Sequence, residues 1–291
     1  MTGSTVPRRQ LGRYLRDERN RAGLTVKDAA KGLEWSETKI WRIETGQISL
    51  RSLDVEAICR LYRVDPGTAE VLKGLAKETK AKGWWQAYGD AVPEYFDLFV
   101  GLEAAATRMS KYEAELVPGL FQTEDYARTL VRSDHPDEDD AEIERRVELR
   151  MARQAILRRP VDPPALRVVL SESVVRRPVS GAAVMAAQLR HLAQVAELPN
   201  VELRIIPFKT GFHPGMFSGA FTILRFPLNG GGVESEPPTV YSDMFTGALY
   251  LDKPHEVARY ARAFEDIWNM GLGDGDTMGI VDRAAEELGN G

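Results

Sequence analysis

The chain has 291 residues, 43% hydrophobic and 28% charged, the proportions of a soluble globular protein of about two domains. No apolar run approaches the ~20 residues that span a bilayer, and the basic start MTGSTVPRRQ lacks the apolar stretch of a signal peptide, so no membrane partner is expected. The net charge of −5 hides an asymmetry: residues 1–80 hold sixteen Lys and Arg against eleven Asp and Glu, so a basic front suited to phosphate is joined to an acidic remainder.

Residues 7–21 read as a helix. Pro7 lies near its start, Leu11 and Leu15 share one face, and Arg8, Arg9, Arg13, Arg16 and Arg19 surround it. Gly23 ends it. The stretch LTVKDAAKGLEWSETKIWRIETG, Leu24 to Gly46, is the most informative in the chain. It spells two short helices joined by a tight turn. Thr25 caps the first, with Val26, Ala29, Ala30 and Leu33 on its apolar face; Ser36 caps the second, with Ile40 and Ile43 inward. Glu37, Thr38, Lys39, Trp41 and Arg42 are then left outward. A helix pinned on one face and carrying hydrogen-bonding side chains on the other fits a DNA major groove.

A fourth helix is predicted from about Ser52, with Leu53, Ala57, Ile58, Leu61 and Tyr62 inward. Cys59, the single cysteine, sits there as a buried small apolar residue; it excludes an intrachain disulfide and fits a reducing cytoplasm. Asp65-Pro66 breaks that helix and starts a fifth, which carries Val71, Leu72 and Leu75 toward Lys80.

The segment KETKAKGWWQAYGD marks a boundary, with Trp84 and Trp85 read as the first packed residues of a second domain. A helical stretch follows near Pro93–Ala106, then a β-prone piece near Met109–Val117, a turn at Pro118-Gly119, and a helix capped by Thr123. The charged loop SDHPDEDD precedes a long helix, Ala141–Arg158. Ala165–Leu170 and Val201–Pro207 read as strands joined by a helix from about Val184 to Glu197, which predicts a parallel pair with a crossover. Gly219–Phe226 and Thr239–Leu251 read as further strands, separated by the loop LNGGGVESEPP, and two helices end the chain near His255–Met270 and Thr277–Leu288.

The five N-terminal helices resemble the lambda-repressor-like helix-turn-helix of the XRE family. Leu24-Thr25, Ala29-Ala30, Ser36, Ile40 and the ending Arg42-Ile43-Glu44-Thr45-Gly46 carry the resemblance, over about residues 8–75. It implies a cytoplasmic, DNA-binding regulator of transcription that binds a double-stranded operator as a homodimer. By family position, Glu37, Thr38 and Arg42 read bases, with Lys39 at the margin; Arg9, Arg13, Lys27 and Arg51 contact phosphates; and Glu44 pairs with a basic residue inside the bundle. Three departures stand out. Val26 replaces a Gln that usually meets phosphate. Glu34 occupies a turn position where Gly is common, at a strain of roughly 1 kcal/mol that nearby Gly32 relieves. Trp41 replaces a small or polar residue and is available to a partner or to the sugar-phosphate edge.

Residues 84–290 resemble the C-terminal domain of actinobacterial Scr-type antitoxin-like or WhiJ-like regulators. The matching stretches include Gly101-Leu102-Glu103-Ala104, Tyr112-Glu113, Val117–Thr123, Arg150 with Arg153-Gln154, Ser171-Glu172, Arg176-Arg177-Pro178, Asn200–Pro207 and His213-Pro214-Gly215. The resemblance implies a small acidic protein partner. The whole chain is thus expected to be an all-α five-helix lambda-repressor-like domain over residues 1–80, followed by a larger α+β regulatory domain over residues 81–291.

The residues themselves say less about that second domain. Val117-Pro118-Gly119-Leu120 reads as architecture. Arg150, Arg153 and Gln154 on one helix are placed to clamp an anion or a partner's carboxylates, or else form a solvated face between Glu144 and Glu148. The loop KTGFHPGMFSG, with His213, covers a small-molecule pocket or is a surface connection. The four histidines lack metal-ligand spacing, and no phosphate-binding or nucleophile-elbow motif occurs. Ser171-Glu172 with His213 is the least poor catalytic set. Neither an enzyme, nor a cofactor, nor a metal site is expected.

Overall fold

Capping chemistry and apolar spacing set the first helices where the sequence puts them. The computed structural model describes residues 5–79, 83–92, 94–228, 232, 234–245 and 247–289. Lys80, Pro93 and residues 229–231 and 233 of the Gly/Pro-rich loop, named above, lie outside the described residues. The chain divides into two compact units, Met1–Ala87 with Asp97–Ala105, and Tyr88–Phe96 with Ala106–Gly291.

In the first unit α1 spans Thr5–Arg21, α2 Val26–Leu33, α3 Glu37–Glu44, α4 Ser52–Tyr62 and α5 Pro66–Glu78. Thr25 and Asp28 form a reciprocal capping box on α2, Ser36 Oγ accepts the Lys39 N–H on α3, and Asp65 Oδ1 accepts the Thr68 N–H on α5. One core joins the helices through Leu11, Leu15, Ala29, Ile40, Ile43, Val55, Ile58, Tyr62 and Leu72. Cys59 is buried in it, and burial pushes its thiol up to about 11, as expected of an inert packing residue.

Two helix faces differ from expectation. Leu53 is 71% exposed and Val71 68% exposed. In α4 the inward positions are Val55, Ile58, Cys59 and Tyr62, a spacing of 3, 1 and 3 that leaves Leu53 off the stripe. In α5, Leu72 and Ala76 take the inner face and turn Val71 out.

Trp85 is fully buried as expected, but in the first unit. Its indole N–H donates to Asp97 Oδ1 at 2.6 Å, while Trp84 remains partly exposed. Asp97 belongs to α6, Glu94–Ala105, whose later residues pack on α1: Arg8 Nη2 meets Asp97 Oδ2 at 3.0 Å. A Cβ at Gly101 would collide with the Thr5 side chain.

The turn between α2 and α3 carries measurable strain. Glu34 sits at φ 56°, ψ 36°, in the left-handed region. Gly32 does not relieve it; a Cβ there would come within 2.8 Å of Leu61 Cδ1, so its role is close packing of α2 on α4. Glu34→Gly is expected to stabilise the first unit by about 0.5–1 kcal/mol, the relieved strain less the added freedom of the unfolded chain. Amide hydrogen exchange in α2 and α3 measures this; faster exchange would mean that the Glu34 side chain contributes more than its backbone conformation costs.

The second unit is built on a six-stranded mixed sheet, ordered β3-β2-β1-β4-β5-β6 among the described residues. Its strands are β1 Arg108–Glu113, β2 Ala165–Ser171, β3 Val201–Ile206, β4 Phe221–Arg225, β5 Thr239–Met244 and β6 Gly247–Leu251. β1, β2 and β3 run parallel, with Val168 opposite Leu203, so the predicted crossover pair is present. β4 to β6 are antiparallel. The single strand expected over Thr239–Leu251 is a hairpin, β5 and β6. Between the parallel strands lie α9, Glu172–Arg176, and α10, Ala182–Ala196; after the sheet come α12, Pro254–Met270, and α13, Asp274–Gly289. α11 is a single turn, Gly215–Ser218. Phe264, Ile267 and Trp268 of α12 pack on Tyr112, Val169 and Phe221 of the sheet. Two further helices, α7 Glu124–Asp134 and α8 Asp140–Arg153, pack together; a 3-10 turn, Gln154–Arg158, completes the expected long helix. Among the described residues no helix is long and apolar enough to cross a membrane.

Candidate nucleic-acid interface and a cavity in the second unit

Helix α3 is held from behind and open in front. Ile40 and Ile43 are buried, whereas Glu37, Thr38 and Trp41 are exposed and Lys39 and Arg42 half-buried. Behind it, Glu44 takes a buried two-point ion pair from Arg19 of α1, Nε to Oε1 at 2.6 Å and Nη2 to Oε2 at 2.9 Å. Hydrogen bonding to Glu44 raises the Arg19 pKa further above its ordinary value. Arg19 also donates to the Leu24 carbonyl at 2.8 Å, so one guanidinium ties α1 to α3 and to the entry of α2. The expected inward role of Glu44 is met, with Arg19 as its partner. A close crossing helps: a Cβ at Gly12 would strike the carbonyl oxygen of Ile43. Gly46, at φ +73°, ends α3 with its Cα facing the Arg9 backbone, where a Cβ would stand 2.7 Å from Arg9 Cα.

Of the four arginines and lysines expected to face phosphate, Arg9 is 6% exposed, against the end of α3. Lys27 is exposed at the start of α2, and Arg13 is half-buried on α1. Arg51 is exposed but holds Asp54 at two points, Nε to Oδ2 at 2.9 Å and Nη2 to Oδ1 at 3.0 Å. The pair keeps the Asp54 carboxyl below the usual carboxylate range, so the Arg51 charge is already partly balanced. Lys39 places its ammonium 3.5 Å above the Trp35 ring, four residues earlier in the chain. Glu37, Thr38 and Arg42 thus share one outward face with Trp41, and Lys39 stands at its edge beside the turn.

In the second unit the motif Val117–Thr123 is architectural. The Val117 N–H donates to the Tyr126 hydroxyl oxygen, Gln122 Nε2 to the Val117 carbonyl at 2.7 Å, and Gln188 holds the Phe121 carbonyl and the Thr123 N–H, both at 2.7 Å. Gln154 Nε2 donates to the Gln122 carbonyl at 2.7 Å, so this side chain fastens the turn. Arg150 and Arg153 instead line a cavity of about 420 Å³, with Phe96, Leu116, Leu130 and Asp243 among its walls. Arg150 Nη1 donates to Gln122 Oε1 at 3.0 Å. Burial, and secondarily the like charge of Arg153, draws the Arg150 pKa down to about 10. Burial pushes the Asp243 carboxyl up. Asp243 and Leu130 had no motif to announce them.

His213 is buried against Tyr112, ring centroids 5.7 Å apart, and burial holds its imidazole below the ordinary value. Its Nδ1 is buried without a hydrogen-bond partner among the described residues. Its loop turns Phe212, Met216 and Phe217 outward. Ser171 Oγ caps α9, and Glu172 Oε2 accepts the Phe208 N–H at 2.9 Å.

Two family descriptions match. A Helix-turn-helix domain matches residues 10–72, and the Domain of unknown function (DUF5753) matches residues 96–283. No curated protein and no solved structure matches the chain. The N-terminal match and the geometry of α3 make the first unit the DNA-binding part of a regulator.

Proposed function

We propose that this chain, which belongs to the DUF5753 family and carries a helix-turn-helix domain ahead of that region, is a cytoplasmic transcriptional regulator whose second domain senses a small molecule. The observation that carries the DNA part is the two-faced α3, fixed behind by Ile40, Ile43 and the Arg19–Glu44 pair and open in front at Glu37, Thr38 and Arg42. An eight-residue helix reaches only a few base edges, so a homodimer on two half-sites supplies the needed length of operator. Lys27 and Arg13 add phosphate contacts and non-specific affinity. No catalysis, cofactor or metal is part of this reading. The test is selection of duplexes from a random pool by the full-length protein, followed by anisotropy titration. A recovered palindrome bound ~10³-fold or more above random duplex supports it; equal affinity for every duplex would overturn it.

A second reading is favoured by one observation. Phe208, Phe212, Met216 and Phe217 are all exposed on one short segment, and Phe212 and Phe217 stack edge-on at 5.5 Å. Such a patch suits a protein partner, in keeping with the proposed kinship to Scr-type antitoxin-like or WhiJ-like regulators and their small acidic partners. In this reading the main task is to neutralise that partner, and DNA binding serves autoregulation. Native mass spectrometry of the protein from its own host decides it. A small acidic protein lost on Phe212→Ser with Phe217→Ser supports the reading, and a bare homodimer opposes it.

A further inference from the structure

Three arginines of α7 and α8 hold carboxylates, and Arg150 is held differently. Arg128 holds Glu144 at 2.6 Å, Arg146 holds Glu138 at 2.6 Å, and Arg132 holds Asp140. Arg150, one turn beyond Arg146, gives its hydrogen bond to the neutral amide oxygen of Gln122. Asp134 and Asp243 act on it only through space. A cation drawn out of water with a neutral partner is unfavourable unless something negative joins it. This cation also lines a cavity of about 420 Å³, within the size range of small-molecule sites.

The remaining walls narrow the ligand. Leu116, Leu130, Val131, Leu149 and the Phe96 ring give the cavity an apolar side. Three guanidiniums, Arg146, Arg150 and Arg153, and two carboxylates, Asp134 and Asp243, line its polar side, a formal excess of one positive charge that suits a ligand with a single negative charge. We infer that the cavity binds a small amphipathic carboxylate, its carboxylate on Arg150 and its apolar body against Leu116, Leu130 and Leu149. The inference rests on the small-molecule reading above and gives it a site and a ligand class.

The experiment is calorimetric titration of the full-length protein with octanoate and, as its uncharged match, with octanol. Octanoate is expected to bind at least ten-fold more tightly than octanol, and Arg150→Met to abolish that preference. Because the substitution removes a half-buried cation that has no carboxylate in ion-pair contact, at the cost of one hydrogen bond to Gln122 Oε1, the ligand-free melting temperature should change little, an outcome that separates a binding residue from a structural one. Leu130→Trp, which fills the apolar side away from the guanidinium, should weaken octanoate and octanol alike. Equal binding of the two probes, saturable binding of neither, or a carboxylate preference that survives Arg150→Met would each overturn the assignment. DNA affinity in the same samples separates this from the sensing reading. Octanoate bound through Arg150 with no change in DNA affinity leaves the site standing and removes the sensing role; a DNA response that survives Arg150→Met does the reverse.

Discussion

Glu44→Ala is expected to destabilise the first unit by about 3–5 kcal/mol, the range for breaking one side of a buried ion pair. The carboxylate meets Arg19 at two points, 2.6 and 2.9 Å, with both side chains under a tenth exposed. Two effects oppose each other at Arg19: hydrogen bonding to Glu44 raises its pKa and burial lowers it, and the former is larger. Removing Glu44 takes away the larger favourable effect and leaves the cost of burial. The guanidinium would keep its bonds to the Leu24 carbonyl and to Asn20 Oδ1, which hold it in place and prevent escape to water. Arg19→Met together with Glu44→Leu should therefore be far milder than either charge-removing single change, since no buried charge is then left unmatched. Amide hydrogen exchange in α1 and α3 reads the first unit separately, which matters because a chain of two units need not unfold in one step. A loss below about 1 kcal/mol would put the pair in the class of solvated surface bridges.

The helix-turn-helix was legible because its determinants are local. Thr25, Asp28 and Ser36 satisfy helix-end amides within three residues of themselves, and Glu34 sits where the chain needs a left-handed residue. Neither depends on what the rest of the chain does. The parallel crossover was legible for the same reason, since β2, α10 and β3 each declare their period. Helix phase was less secure. Leu53 and Val71 are as apolar as Ile58 and Leu72, and only the tertiary packing of α4 and α5 decides which side is inner. The β5–β6 hairpin was hidden because no proline or Asn-Gly pair breaks the run from Thr239 to Leu251, although one strand ends at Met244 and the next begins at Gly247. Arg9 looked like its neighbours in composition, but the close approach of Gly46 buries it. The cavity could not be read at all: Phe96, Leu116, Leu130, Arg150 and Asp243 come from separate segments and meet only through long-range packing.

Arg42→Ala and Arg13→Ala are expected to weaken DNA binding in different ways. Arg42 lies on the outward side of α3, in the last turn, on the face shared with Thr38 and Trp41. An arginine there pairs bidentately with guanine, a contact worth about 1–3 kcal/mol against a wrong base, roughly 5- to 150-fold. Its loss should therefore flatten sequence preference at one position of each half-site while leaving random duplex almost unaffected. Arg13 lies on α1, outside the reading helix, so its charge meets phosphate if it meets DNA at all. Arg13→Ala should weaken selected and random duplex by the same factor and reduce the slope of log affinity against log salt by about 1 per protomer. Arg51→Ala tests the same logic from the other side. Its guanidinium is already shared with Asp54, and its removal exposes that carboxylate near Lys39, so uniform weakening should come with a smaller change in salt slope than at Arg13. Anisotropy titrations of the three variants on one selected duplex, its single-base variants and a random duplex, at several salt concentrations, separate these patterns. If Arg42→Ala scaled every duplex equally, α3 would not be the reading helix, and the outward face of Glu37, Thr38 and Arg42 would need another partner.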